Sequence, residues 1–238
     1  MDFSEPSVCV CIPTYNEAGT IGEVISRIEG LEGLRKAIVV VDDNSGDGTS
    51  EIVRRLMGEY GNIRLIEREG KLGLGSALIE GFEEALRLKP VPGYVVSMDG
   101  DLSHDPYEIP GLVRSCDRGA MIIGSRYVEG GEVQGWTMWR RAVSGGANLL
   151  ARYLGGLPVR DCTSGFRCYS SDLVKDLIGS VTREGFDFQI DTLMNAVRKG
   201  YQVREHPIRF RDREAGESKL GLGEYLNFLI LVFSRLRF

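Results

Sequence analysis

Apolar positions along the first hundred residues fall into two alternating rhythms. Short, mainly apolar runs at 8–12, 37–41, 63–67 and 94–98 read as strands. Between them, 20–28 carries Ile21, Val24, Ile25 and Ile28 at helical spacing, and 49–57 reads as a second helix. A third helix over 75–88 gathers Leu78, Ile79, Phe82, Ala85 and Leu86 on one face. The run 37–41 (AIVVV) has no polar alternation, which predicts a strand covered on both faces. Strand and helix in strict alternation predict an α/β fold: a mostly parallel, Rossmann-like sheet with helices on both faces. The second half is less regular. It predicts strands at 120–124 and 203–210, helices at 139–154 and 185–199, and a Gly-rich loop at 129–136. A charged loop follows at 212–221, then a helix at 224–236 that is apolar over most of its circumference.

Polar residues collect where the predicted strands end: Tyr15 to Glu17, Asp42 to Asn44, and Asp99 to Asp101. In open α/β sheets the carboxyl edge of the strands is where ligands bind. Composition agrees with an ordinary globular chain, 42% apolar and 26% charged over 238 residues, with no repeat and no compositional break. The formal charge of −5 gives no global basic field for gripping nucleic acid. The longest apolar run, 228–233, is far short of the roughly 20 residues of a spanning helix, and the N-terminus has no signal-peptide pattern. Five cysteines without metal-ligand spacing read as buried thiols in a reducing compartment.

Asp99-Gly100-Asp101 places two carboxylates around a small residue directly after a strand. Hard oxygen ligands of this kind suit Mg²⁺ or Mn²⁺ held together with substrate phosphates; a capped turn through Ser103 or Asp105 is the plainer alternative. Asp43 is placed to meet a nucleoside, though Ser45-Gly46-Asp47-Gly48 also reads as a simple turn. Lys71-Leu72-Gly73-Leu74-Gly75 opens a helix and can present a cation and free N–H groups to a phosphate. Neither a Walker A pattern nor a dinucleotide glycine fingerprint is present, which removes support from an oxidoreductase.

These strand-end motifs, with Ile12-Pro13-Thr14-Tyr15-Asn16-Glu17 at the front, resemble those of family 2 glycosyltransferases. Gly124-Ser125-Arg126-Tyr127, Thr163-Ser164-Gly165-Phe166-Arg167, Gly185-Phe186-Asp187-Phe188-Gln189 and Arg213-x-x-Gly216-x-Ser218-Lys219-Leu220 narrow the resemblance to the dolichol-phosphate mannosyltransferase group, in a short form without a transmembrane domain. The resemblance implies a GT-A fold and inverting transfer of mannose from GDP-mannose to dolichyl or another polyprenyl phosphate. It implies that Pro13, Tyr15, Glu17, Val41 and Asp43 hold the guanosine. Asp99, Gly100 and Asp101 would approach ribose, metal and diphosphate, with Asp101 the foremost metal ligand and Ser103 a contributor. Arg126 would meet phosphate, Arg213 and Lys219 would close a loop on the donor, and Arg141 would join Arg126 at the acceptor phosphate. Asp101, Arg126 and Arg141 form the expected catalytic set. His104 is expected to line the site or stay structural, and His206 to be structural. Gly100, Asn44, Gly46 and Asp191 depart from the family's usual residues without removing a metal or phosphate ligand. A polyprenyl-phosphate transferase using a UDP-sugar such as UDP-glucose remains the alternative.

The expected organisation is one catalytic domain over 1–222 and a C-terminal helix over 223–238 that is either interfacial or packed on the core. The lipid acceptor implies a peripheral enzyme on the cytoplasmic side of a membrane. Its partners would be the membrane surface and, where present, small membrane-anchoring subunits. Trp136, Met138 and Trp139 are candidates to touch the interface.

Overall fold

The computed structural model describes residues 7–181 and 187–212. Strands β1 (Ser7–Thr14), β2 (Arg35–Asp42), β3 (Ile63–Glu67) and β4 (Tyr94–Ser97) alternate with helices α1 (Ile21–Glu29), α2 (Thr49–Glu59) and α3 (Leu74–Arg87). Their pairings are all parallel, as the strand–helix rhythm predicts. A 3-10 turn and α4 (Ile109–Ser115) lead into β5 (Ala120–Ser125). Beyond them come β6 (Glu132–Gln134), α5 (Met138–Gly155), β7 (Arg167–Ser170), α6 (Ser171–Ile178), α7 (Asp187–Arg198), β8 (Gln202–Pro207) and β9 (Arg209–Arg211). The main sheet has seven strands in the order β3-β2-β1-β4-β7-β5-β8. β7 runs antiparallel to both β4 and β5, and β5 pairs parallel with β8.

Both faces of the sheet are covered. Val8, Val10 and Ile12 of β1 point to one side, where they meet α1 through Val24 and Ile25, α2 through Val53, and α4 through Leu112. Cys9 and Cys11 point to the other, against Leu78 and Phe82 of α3 and the buried faces of α6 and α7. This is the period-two geometry of a strand with no solvent-facing side, and it explains why β1 and β2 read as unbroken apolar runs. All five thiols are free and buried. α3 crosses close to the sheet at Gly81, where a Cβ would lie 3.3 Å from Cys11 Cβ and 3.4 Å from Val41 Cγ2.

Two expectations are corrected. The run 203–210 is not one strand: β8 ends at Pro207, Ile208 N donates to Ser125 O at 3.1 Å, and β9 then pairs parallel with β6 in a separate two-stranded sheet. The Gly-rich segment 129–136 is correspondingly not all loop, since it contains β6. α7 starts at Asp187 within the described residues, so the beginning of the helix expected at 185 lies outside them. The loop from Arg213 onward, the helix expected at 224–236 and the boundary at 222 also lie outside the described residues. Among those described, no helix is long and apolar enough to cross a membrane.

Candidate active site

The parallel topology brings the carboxyl ends of β1, β2, β4, β5 and β8 to one edge of the sheet. β7 runs the other way, so the segment that precedes it, Thr163 to Phe166, arrives at the same edge. A cleft of about 400 Å³ opens there. Asn16, Asn44 and Leu102 all have positive φ (57°, 60° and 61°), and they lie in three loops that frame this cleft. Left-handed backbone at non-glycine residues is costly and concentrates at functional sites.

At one end, the neighbouring carboxylates of Asp42 and Asp43 have different tasks. Asp42 is buried and accepts from Thr14 Oγ1 (2.8 Å), Ser45 N (2.8 Å), Ser45 Oγ (2.6 Å) and Ser50 Oγ (3.0 Å), so it ties the loop to the sheet. Asp43 lines the cleft and is oriented by Arg68 Nη1 (2.5 Å) and by Gly73 N (2.9 Å) at the start of α3. Pro13, Tyr15 and Glu17 share this wall, and Lys71 Nζ sits 4.2 Å from the Tyr15 ring centroid. Val41 does not reach the cleft with its side chain, which is buried in the core under α3.

In the middle, Asp99, Gly100, Ser103 and His104 form the floor. Gly100 packs closely against β1, where a Cβ would make a tight 3.2 Å contact with Thr14 Cγ2. His104 is buried, stacks on Phe166 (5.0 Å between centroids) and accepts from the Asp99 amide at Nδ1 (3.2 Å). Burial pushes its imidazole below the ordinary pKa, against the opposing pull of Asp99 and Asp101. It is therefore a neutral ring whose Nδ1 pins the Asp99 backbone. Asp101 is buried behind this floor, with Oδ1 accepting from Ser103 N at 2.9 Å.

The donor set fits a hard divalent cation. Asp99 and Asp101 supply carboxylate oxygens two residues apart, and the buried Ser103 Oγ has no hydrogen-bond partner among the described residues. No cluster of three or more acidic, histidine or cysteine side chains with metal-ligand geometry occurs among the described residues.

The far end carries two arginines, each paired with an aspartate. Arg126 follows β5 and is clamped by Asp161, with Nε 2.8 Å from Oδ2 and Nη2 2.7 Å from Oδ1; Nη2 also donates to Thr163 Oγ1 at 2.9 Å. Burial alone would raise the Asp161 carboxyl, but the charge and hydrogen bonds of Arg126 reverse this and hold it below the usual carboxylate range. The guanidinium carbon lies 5.3 Å from the ring centroids of both Trp136 and Phe210, aromatics carried by the small β6–β9 sheet. Arg140 lies 4.4 Å from the Trp136 ring centroid and is paired through Nη1 with both Asp212 oxygens at 2.9 Å. It lines the cleft.

Of the residues expected from sequence, Pro13, Tyr15, Glu17, Asp43, Asp99, Gly100, Ser103 and Arg126 come together on the cleft wall, and Asp101 lies just behind it. Arg141 does not join them: its Nη2 donates to Val133 O at 2.6 Å, and the cleft position expected for it is taken by Arg140. Adjacent helical residues point about 100° apart, so only one of the pair can face inward. The Thr137 N-cap, whose Oγ1 accepts from Arg140 N at 3.2 Å, sets that phase. Arg213 and Lys219 lie outside the described residues. Sequence reasoning missed Asp161 altogether and named Thr163 and Gln189 only within motifs, without a role, because none of them has a local signal for its partner.

Comparison with known proteins places the chain among transferases. The pattern of the family described as "Glycosyl transferase family 2" matches residues 9–178. The polyprenol monophosphomannose synthase of Mycolicibacterium smegmatis is 39% identical over 217 residues, covering 89% of this chain and 80% of that protein. The dolichol-phosphate mannosyltransferase of Pyrococcus furiosus is 41% identical over 222 residues, covering 90% of this chain but 59% of that protein. Among solved structures, glucosyl-3-phosphoglycerate synthase of Mycobacterium tuberculosis, in complex with Mn²⁺, UDP and glucosyl-3-phosphoglycerate, superposes with a TM-score of 0.65. It is 22% identical, covering 97% of this chain and 78% of that one, and bears on the fold alone.

Proposed function

The chain belongs to glycosyl transferase family 2 and is a hexosyltransferase, and we propose that it transfers mannose from GDP-mannose to a polyprenyl phosphate such as dolichyl phosphate, with inversion. The observation that carries this reading is the polarity of the cleft. An end lined by Tyr15 and Asp43 is followed by the hard oxygens of Asp99 and Ser103, and then by two guanidinium groups on Arg126 and Arg140, each paired with an aspartate. One end suits a nucleoside and the other suits a second anionic substrate.

In this reading Asp43, held rigid by Arg68, accepts from the nucleoside. Asp99, Asp101 and Ser103 are the residues that would hold Mg²⁺ or Mn²⁺, which when bound offsets the charge gathering on the leaving diphosphate. Arg126 and Arg140 orient the acceptor phosphate. An oxygen of that phosphate attacks the anomeric carbon, the bond from that carbon to the diphosphate oxygen breaks, and its electron pair leaves with GDP. The acceptor monoester is already anionic near neutral pH, its second pKa being about 6, so no general base is required. This agrees with a neutral, structurally committed His104. Arg213 and Lys219 complete the donor site in the same reading. The test is direct. The protein should move radiolabelled mannose from GDP-mannose onto polyprenyl phosphate in vesicles, and a chain that instead transfers only glucose from UDP-glucose would overturn the donor assignment.

A lipid acceptor requires contact with its bilayer, and we assign that contact to α5. Trp139 (78% exposed), Leu149 (56%) and Tyr153 (76%) lie along one side of this helix, with Met138 (84%) at its start. The helix also carries Arg140, Arg141 and Arg152 and no acidic residue, a composition suited to an anionic interface. The same helix sends Arg140 into the cleft, so a lipid seated against α5 has its phosphate close to the arginine-bearing end. Trp139→Ser with Leu149→Ser should weaken co-sedimentation with anionic vesicles by at least about tenfold. Transfer to a short, water-soluble polyprenyl phosphate should be unchanged, and unaltered vesicle binding would move the contact elsewhere.

A further inference from the structure

Gln189 sits in the first turn of α7 and is 3% exposed, yet its amide lines the cleft. Its backbone is fixed: the carbonyl accepts from Arg167 Nη1 at 2.7 Å and from Thr192 Oγ1 at 3.1 Å. Arg167 is fully buried and also donates to Ser164 O and Cys162 O, so it ties the loop before β7 to the start of α7. The side-chain Oε1 is buried and has no hydrogen-bond partner among the described residues. Across from it, Gly165 keeps a gap open. A Cβ on Gly165 would lie 3.4 Å from Gln189 Nε2, 3.8 Å from Asp99 Oδ1 and 3.9 Å from His104 Cε1.

We infer that the Gln189 side-chain amide hydrogen-bonds a hydroxyl of the transferred hexose and is a specificity-determining residue of the donor site. The inference rests on the reading of this cleft as a sugar-nucleotide site. The amide atom at the Gly165 gap is Nε2, which donates, while Oε1 is a buried acceptor that needs a donor. Phosphate oxygens at neutral pH only accept, and the guanidinium groups of Arg126 and Arg140 already suit them. A hydroxyl both accepts and donates, so it can serve either atom of the amide. The nucleoside end is too far away to supply one: Asp43 follows β2, Gly165 precedes β7, and β1 and β4 lie between. Three strand spacings of about 4.8 Å separate them, roughly 14 Å in all. Across that span the group meeting Gln189 is the sugar beyond the diphosphate, held between an amide and the Asp99 carboxylate. Sites built to hydrogen-bond a substrate hydroxyl discriminate strongly against analogues that lack it or carry it elsewhere.

The test compares wild type with Gln189→Leu and Gln189→Glu by titration calorimetry in Mn²⁺. The ligands are the sugar nucleotide that wild type turns over and the matching nucleoside diphosphate. Gln189→Leu should weaken the sugar nucleotide by about tenfold or more while leaving the nucleoside diphosphate within about twofold, and should lower the kcat/KM preference for the donor over its hydroxyl epimer by a similar factor. Gln189→Glu removes the Nε2 donor and adds a negative charge near Asp99, and should weaken the sugar nucleotide at least as much. Gly165→Ala fills the same gap, provides a second handle should Gln189→Leu fold poorly, and should also weaken the sugar nucleotide selectively. Equal weakening of both ligands, or of neither, overturns the inference. If wild type uses UDP-glucose, the same comparison with UDP tests Gln189 while the mannose reading alone fails. Turnover of no sugar nucleotide would overturn both.

Discussion

Arg126→Met should destabilise the fold by about 3–5 kcal/mol, and adding Asp161→Asn should recover most of that loss while sugar transfer stays at least about 100-fold below wild type. The Asp161 side chain is wholly buried and that of Arg126 is 8% exposed. Removing the guanidinium leaves a carboxylate with no countercharge, which is far costlier than removing the pair together. Asn at 161 keeps an acceptor for the Arg126 backbone N–H, now 3.0 Å from Oδ2, and carries no charge. The pH dependence separates the two variants. In wild type the lowered Asp161 pKa contributes stability above the unfolded value near 3.8, and that contribution is lost as pH falls through the folded pKa. In Arg126→Met the pull of the guanidinium is lost and burial, the largest influence, is opposed only by the residue-126 N–H and the Arg167 charge, so the folded pKa rises and the folded state holds a proton that the unfolded state releases. Stability should then fall as pH rises above about 4, where wild type shows no such decline from this group. Urea denaturation at two pH values measures it. Transfer stays low in the double variant because Arg126 spends Nε and Nη2 on Asp161 and Thr163, while Nη1 makes no hydrogen bond within the described residues and is the N–H group left for a phosphate. A double variant with wild-type activity would reduce Arg126 to a structural residue.

The parts of the fold that were legible in the sequence are those whose signal is local. β1 and β2 announce themselves because positions 8–12 and 38–42 are buried without a break, and α1 and α3 because one face is. β7 is four residues, RCYS, with an arginine at its head. Arg167 is tolerated at the sheet centre only because carbonyls from residues 162, 164 and 189 converge on it, and no window of sequence contains that convergence. α6 is eight residues long, too short for a periodic pattern to stand out, and is recognisable mainly through its Ser170 cap. The break between β8 and β9 depends on Ile208 turning its N–H to Ser125 and its carbonyl to Glu132, a choice made by tertiary contacts. The site divides the same way. Carboxylates at strand ends were legible because chain direction alone places them at the ligand edge. Which of two neighbours faces in was read for Asp43 over Asp42, but not for Arg140 over Arg141. The first is decided by Ser45, Ser50 and Arg68, and the second by the phase that Thr137 imposes on α5.

Removing the charge from either aspartate of the floor should uncouple nucleotide binding from metal binding. For wild type, GDP at about a hundredfold over its Kd in Mn²⁺ is worth roughly 2.7 kcal/mol, which moves Tm by about 5–11 °C in a chain of this size. Chelation should return the shift to that of GDP alone. Asp99→Asn and Asp101→Asn should each abolish the metal-dependent part and lower transfer by at least about 100-fold. Asn is the informative substitution at 101: it keeps the oxygen that accepts from Ser103 N and so preserves the turn in which Leu102 is held at φ 61°. A loss in Asp101→Asn is therefore a loss of charge and not of the loop. Asp43→Asn should do the reverse. It weakens GDP with or without metal, because its carboxylate is fixed by Arg68 and Gly73 at the nucleoside end, and it leaves the metal-dependent increment in place. Should Asp99→Asn and Asp101→Asn both keep the full Mn²⁺-dependent shift, the cation would have to bind elsewhere, and the cleft floor would be a nucleotide cradle only.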